Sequence, residues 1–260
     1  MRDALLQVDR VTLRYTSEDR EVVATEDISF SIQRSDRLVL LGPSGCGKSS
    51  LLKAIGGYLA PTSGVIRLNG HAVTQPGPDR MMVFQEFDQL LPWKTVLGNV
   101  RFALEASGRL HGEAANDSAQ RAIERVKLGR FAHAYPHTLS GGMKQRVAIA
   151  RGMAMEPDIL LMDEPFAALD AMTRTAMQDE LLQLWHDTHF TVIFVTHSIE
   201  EAIRVGNRIL LLSPHPGRVK DEVQSDGQDR LLADGRRLSQ WIHDSLFATE
   251  TQAVTQEVAA

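Results

Sequence analysis

The stretch GPSGCGKSS at residues 42–50 sets glycines, one lysine and hydroxyls at the spacing G-x-x-x-x-G-K-[ST], a pattern suited to phosphate. The glycines let successive backbone N–H groups turn toward anionic oxygens, Lys48 can reach the β and γ phosphates of a nucleotide, and the Ser49 hydroxyl can bind Mg²⁺. The apolar run RLVLLG (37–42) precedes this loop and LLKAIGG follows it. That order predicts strand, loop, helix. A ligand-free glycine turn is the plainer alternative, and it does not account for the context.

A phosphate loop establishes nucleotide binding and leaves the fate of the γ-phosphate open. The run ILLMDEP narrows it: after four apolar strand residues, Asp163 is expected at the carboxyl end of a sheet, where it can hold Mg²⁺ through water. Glu164, the next residue, is placed to orient or deprotonate an attacking water. The competing reading is a polar residue closing a strand before Pro165.

A second anion-suited helix start lies in LSGGMKQRVAIARG (139–152). Ser140, Gly141 and Gly142 would expose unpaired N–H groups at the positive end of a helix dipole. Serine is also a favoured N-cap, so the segment reads equally as an ordinary helix start whose Met143, Val147, Ala150 and Ala154 stripe packs inward. The residues alone leave both open.

These groups need a scaffold, and composition bounds it. The 260 residues are 43% hydrophobic and 23% charged, with a formal net charge of -5, which offers no global attraction to nucleic acid or anionic lipid. The one cysteine, Cys46, excludes an internal disulfide, and no Cys/His cluster has zinc-ligand spacing. The N-terminus shows no apolar signal core, and the longest apolar runs fall short of a membrane span. Any membrane role is therefore expected through a partner.

Apolar runs without alternation, RLVLLG, MMVFQ (81–85), DILLMDE (158–164), TVIFVTH (191–197) and RILLLS (208–213), predict strands buried on both faces of a parallel sheet. Helical patterns separate them, such as Met177, Leu181, Leu184 and Trp185. The first third, with LLQVDRVTLRY, EDISFSIQ and GVIRLNG, predicts an antiparallel lobe. Strand signals stop between Gln85 and Asp158, which predicts a helical lobe at about 89–157 inside a domain spanning 1–225. A C-terminal helix around RRLSQWIHDSLF and a frayed polar tail are expected within 226–260.

Taken together and in order, GPSGCGKSS, VFQE, LSGGMKQR, ILLMDEP, ALD and VTHS resemble the ATP-binding subunits of ABC transporters over nearly the whole chain. The resemblance implies an α/β P-loop NTPase (ABC ATPase) core with an antiparallel β lobe and an inserted helical lobe, binding ATP and Mg²⁺. It matches Gly42, Pro43, Ser44, Gly45, Cys46, Gly47, Lys48, Ser49 and Ser50 to Walker A. Asp163 and Glu164 match Walker B, and Ser140, Gly141 and Gly142 match the family signature. Gln85 matches the Q-loop, with an amide oxygen near Mg²⁺ and the attacking water, Asp170 the D-loop, and His197 the switch histidine near the γ-phosphate. Tyr15 takes the position of the aromatic that stacks on adenine, against the alternative of an exposed strand tyrosine.

The resemblance further implies that the SGG helix binds ATP held on a second ATP-binding subunit, an identical copy or a relative. It implies transmembrane permease subunits, a periplasmic or extracellular solute-binding protein reached indirectly, no nucleic acid, and a peripheral place on the cytoplasmic face of the inner (plasma) membrane. FQEFDQLLPWKTVLGNV (84–100) and MDEPFAALDAMTR (162–174) are similar to the importer branch serving nitrate, sulfonate and taurine. Other small organic cargoes stay open. A small-molecule kinase would give no reason for an SGG helix, and a soluble ABC ATPase would be expected to carry tandem cassettes or long coiled-coil insertions. Leu90, Leu91 and Trp93 are expected to dock a cytoplasmic permease helix, against the alternative that Leu91 and Trp93 fill the helical lobe's own core. Cys46, inside the phosphate loop, is expected to be a loop-filling residue and an experimental handle, where an alkylating reagent could block nucleotide entry.

Overall fold

Short apolar runs form the most deeply buried strands, because a strand covered on both faces has no polar side to alternate with. The computed structural model describes residues 4–17, 20–85 and 89–247. The polar tail at 248–260, and Glu86, Phe87 and Asp88 of the FQEFDQ stretch, lie outside the described residues. In chain order the strands are β1 (Leu6–Ser17), β2 (Arg20–Ile32), β3 (Arg37–Leu41), β4 (Ser63–Leu68), β5 (His71–Ala72), β6 (Arg80–Val83), β7 (Ile159–Asp163), β8 (Val192–Thr196), β9 (Arg208–Leu212) and β10 (Val219–Gln224). The helices are α1 (Lys48–Ile55), α2 (Val96–Ala106), α3 (Gly112–Arg125), α4 (Gly141–Ala154), α5 (Ala171–Thr188), α6 (Ile199–Val205) and α7 (Leu238–Phe247). Two compact units result, residues 1–75 with 193–260, and residues 76–192.

In the first unit, β3, β8 and β9 are buried almost throughout, as their unalternating sequences predict. They lie in the order β10-β9-β3-β8, with β3 and β9 parallel and β10 antiparallel to β9. A second, antiparallel sheet runs β2-β1-β4-β5. Its strand β1 alternates until a register shift between Val8 and Val11, where Arg10 takes a left-handed φ of 47°. Such a bulge moves the side-chain phase by one residue. Leu6 and Val8 before it, and Val11 and Leu13 after it, can therefore all be buried. Helix α7 buries Leu238, Ile242 and Leu246 along one face, and the Lys220 ammonium on β10 caps it by donating to the carbonyls of Ser245 and Leu246, both at 2.9 Å.

In the second unit, β6 and β7 pair in parallel. Among the described residues between 85 and 158, helices α2, α3 and α4 take the place of strands, and α4 packs against α2, α3 and β6. Val147, Ala150 and Ala154 are buried as the stripe predicts, while Met143 is only half-buried. Ala148 and Ile149 are buried as well, so α4 is enclosed on several sides rather than along one stripe. On α5, Met177, Leu181 and Leu184 are buried and Trp185 is half-buried.

The segment leading into α2 is organised by one polar side chain that no sequence signal marks. Asn99 is fully buried, accepts from Leu91 N–H at 2.7 Å, and donates to the carbonyls of Leu91, Lys94 and Thr95 at 3.1, 3.1 and 3.0 Å. Removing it takes a partner from the part-buried Leu91 N–H and Lys94 carbonyl and leaves a gap at a fully buried position. Asn99→Ala is expected to lose about 2–4 kcal/mol of unfolding free energy. Urea titration checks this, and a loss below about 1 kcal/mol would mean water replaces the amide at little cost.

Candidate functional site

In the first unit, β3 ends at Leu41 and α1 begins at Lys48, so the intervening turn is fixed between a buried strand and a helix. Gly45 and Gly47 both take left-handed conformations, φ 79° and 90°, which side chains disfavour. A Cβ on Gly47 would lie 2.6 Å from the Ala24 carbonyl oxygen and from Thr25 Cγ2, whereas one on Gly45 meets nothing within 4 Å. The loop is thus pressed against β2 at one glycine and open at the other. Left-handed glycines alternating with ordinary residues can turn neighbouring N–H groups into a concave nest. The Lys48 side chain is buried and folds over this loop, its ammonium donating to the carbonyls of Gly42 and Pro43 at 2.8 Å each. A glycine loop of this shape, with space before Gly45 and an ammonium held against it, suits a phosphate.

Cys46 lies in the same loop. Its side chain is 1% exposed, and burial pushes the thiol above its ordinary pKa despite the neighbouring Lys48 charge. A shielded, protonated thiol reacts slowly. Cys46 therefore fills the loop, and an alkylating reagent reaches it slowly, as the loop opens.

Tyr15, 41% exposed on β1, donates its hydroxyl to Ser50 Oγ at 2.8 Å and so stands beside the first turn of α1. His197 follows β8 directly and is exposed. Ser198 caps α6 by accepting from Glu201 N–H at 3.2 Å, which ends the strand at this histidine.

The second unit carries the remaining candidates. Gln85 lies two residues beyond β6 and is exposed. The sequence reading missed its neighbour Gln89, which accepts from Phe84 N–H at 3.2 Å and donates to the Phe84 carbonyl at 2.9 Å, while Arg151 of α4 donates to the Gln89 carbonyl at 2.7 Å. The end of β6 is thereby tied to α4. A glutamine in a polar loop gives no sequence signal for this.

Asp163 closes β7 and is buried; Glu164 is half-buried. Glu164 has a left-handed φ of 43°, which strains a residue with a side chain by roughly 1–2 kcal/mol. The Ala167 N–H donating to its carbonyl at 3.1 Å, and the fully buried Phe166, hold the turn in that shape. Asp170 caps α5 by accepting from Thr173 N–H at 3.0 Å, and the Thr173 side-chain and backbone hydrogen bonds hold its carboxyl below the usual range.

Ser140 caps α4 by accepting from Met143 N–H at 3.3 Å. A Cβ on the buried Gly142 would lie 3.1 Å from Thr173 Cγ2. The structure therefore brings the starts of α4 and α5 together, and with them Ser140, Gly141, Gly142 and Asp170. Ordinary capping and an open anion-suited start coexist there, because the Ser140 side chain satisfies one N–H of several.

Leu90 is buried and so, against expectation, presents no docking surface; Leu91 is half-buried and Trp93 is 70% exposed. Trp93 therefore does not fill the core of the helical lobe.

The ABC transporter family profile matches residues 25–167. The taurine import ATP-binding protein TauB of Rhizobium johnstonii is 49% identical over 232 residues, covering 89% of this chain and 88% of the relative. The ATP-binding cassette MJ0796, solved as a dimer in a post-hydrolysis state bound to ADP and Pi, aligns with a TM-score of 0.72 and 32% identity over 86% of this chain and 100% of that one. For cbiO1 of Clostridium perfringens, part of the ABC transporter complex cbiONQ, the TM-score is 0.75 and the identity 28%, over 85% of this chain and 89% of that one. The glycine loop between β3 and α1, the strained Glu164 after a buried Asp163 and the capped start of α4 lie within the stretch these comparisons cover, and the chain belongs to the ABC transporter family as an ATP-binding, ATP-hydrolysing subunit.

Proposed function

We propose that this ATPase powers a membrane importer for taurine or a related small solute such as another sulfonate or nitrate. The observation that carries the ATPase half is the cradle formed by Gly45, Gly47 and the folded-over Lys48. The cargo half is supported by the 49% identity to a taurine import ATP-binding protein.

Residues 42–50 cradle the phosphates, Lys48 exchanges its two carbonyl partners for β and γ oxygens, and Tyr15 stacks on the base. Ser49, Asp163 and Gln85 would offer hydroxyl, carboxylate and amide oxygens to Mg²⁺, whose chemistry there would be to neutralise phosphate charge. Glu164 accepts the proton of the attacking water, and His197 stabilises charge as the γ-phosphate departs. Ser140, Gly141 and Gly142 of a second, identical copy close the site over the same γ-phosphate, beside that copy's Asp170. The ATP-binding domain spans 1–225 with its helical lobe at about 89–157, followed by the C-terminal helix and tail in 226–260.

The chain sits on the cytoplasmic face of the membrane through permease subunits, and a solute-binding protein acts on the far side without touching it. Trp93 is the permease contact. Its 70% exposure supports this, as does the fixing of its loop by Asn99. Uptake of labelled taurine by cells producing the chain with its permease tests both halves. Wild type is expected to accumulate taurine and Lys48→Ala to accumulate none. Trp93→Glu is expected to lose most uptake while keeping its melting temperature and ATP affinity. Uptake unaffected by Lys48→Ala would overturn the energising role, and full uptake with Trp93→Glu would overturn the docking surface.

A further inference from the structure

The phosphate loop has an outer wall that none of its motif residues supply. Between β9 and β10 the turn at residues 213–218 is closed on itself: Ser213 N–H donates to the Arg218 carbonyl, Ser213 Oγ donates to the Pro216 carbonyl, and Arg218 N–H donates to Ser213 Oγ, each at 2.9 Å. It is also fixed to β2. Gly217 donates to the Ala24 carbonyl at 3.0 Å and accepts from Glu26 N–H at 2.9 Å, and the Arg218 guanidinium pairs with Glu26 at 2.5 Å.

This anchored turn meets the loop at two points. A Cβ on Gly217 would collide with the Cys46 carbonyl oxygen, so the backbones touch there. His215 Nδ1 lies 3.3 Å from the Gly45 carbonyl oxygen. The Gly45 carbonyl and the Cys46 N–H belong to one planar peptide group. The Cys46 N–H donates to the Pro43 carbonyl at 3.4 Å. His215 thus holds the other end of a peptide plane whose rotation, at a glycine, meets little steric resistance.

The geometry points to His215 as a positioning residue for the phosphate cradle: by donating from Nδ1 to the Gly45 carbonyl, it fixes the Gly45–Cys46 peptide and pre-orders the N–H groups on either side for phosphate. Without this bond, the loop must be ordered as nucleotide binds, and affinity falls by the ordering term. The loop-holding stands on contacts alone, and its consequence for nucleotide rests on residues 42–50 acting as the cradle proposed above. Asparagine places its amide nitrogen where histidine has Nδ1, so His215→Asn keeps the donor and His215→Ala removes it.

Two readouts separate the loop from the ligand. The rate at which N-ethylmaleimide alkylates Cys46, the single cysteine, reports loop order without nucleotide. Titration with a ribose-labelled fluorescent ATP analogue and Mg²⁺ reports the cradle. Against wild type, His215→Ala is expected to label several-fold faster and to bind the analogue about three- to tenfold more weakly, the worth of one such hydrogen bond. His215→Asn is expected to match wild type on both, and both variants to keep the wild-type melting temperature. His215→Ala labelling and binding like wild type would overturn the proposal, as would His215→Asn behaving like a folded His215→Ala. If alanine fails to fold, asparagine still decides: wild-type behaviour supports the donor, and impairment in a folded protein overturns it. Lys48→Ala is the reference for the ligand. Analogue binding unaffected by it would overturn the cradle reading, while the Cys46 labelling rate would still decide whether His215 holds the loop.

Discussion

Replacing Glu164 with glutamine is expected to slow ATP hydrolysis by about two to four orders of magnitude, the usual worth of a positioned general base, while ATP affinity stays near wild type. The change removes one charge and little volume. It also leaves the backbone problem unchanged, because glutamine resists the φ of 43° as much as glutamate does. A left-handed residue held by the Ala167 hydrogen bond and by buried Phe166 is strain retained where chemistry is expected. Since ATP then binds without turning over, the variant should collect as an ATP-bound dimer. Single-turnover phosphate release measures the first effect, and gel filtration with ATP and Mg²⁺ measures the second. Hydrolysis within tenfold of wild type would remove Glu164 from the base role, and a variant that stays monomeric with ATP at high concentration would count against the paired arrangement.

The parts legible in the sequence are those where one local requirement dominates residue choice. A loop that must turn N–H groups inward needs glycines at fixed offsets, and Gly45 and Gly47 are indeed the left-handed positions. Strands covered on both faces need unbroken apolar runs, and β3, β7, β8 and β9 have them. What escaped notice depends on distant partners. The strand β10 reads VKDEVQ, half-exposed and polar, because it has one neighbour and an open edge. Asn99 reads as one polar position of α2 beside Arg101 and Glu105, yet it is fully buried because the loop before α2 needs its amide. His215 belongs to no motif, since its partner Gly45 is 170 positions away. The strain at Glu164 is invisible as well. Its residue type suits the chemistry and opposes the backbone, so no glycine marks the turn.

The SGG helix start gives the sharpest test of pairing, and the structure chooses the substitution. Gly142 is unsuitable, because a Cβ there would press on Thr173 at 3.1 Å and disturb α5. Gly141 is half-buried at the first helical position, where an aspartate suits the helix dipole yet repels an incoming phosphate. Gly141→Asp is therefore expected to abolish hydrolysis while leaving the protein as stable as wild type by thermal melting. If the γ-phosphate sits on one copy and the SGG start comes from the other, a mixed dimer of one Lys48→Ala chain and one Gly141→Asp chain places both lesions in one composite site. Its other site combines an intact phosphate loop with an intact helix start. With Glu164→Gln in both chains to prevent turnover, this mixed dimer is expected to trap about one ATP, whereas each homodimer traps little. If both motifs served the same chain's nucleotide, every chain in the mixture would be defective, and neither site would recover. Filter-bound radiolabelled ATP per purified, differentially tagged dimer makes the distinction, and a well-folded mixed dimer that traps none would overturn the assignment of the SGG start to the partner's nucleotide.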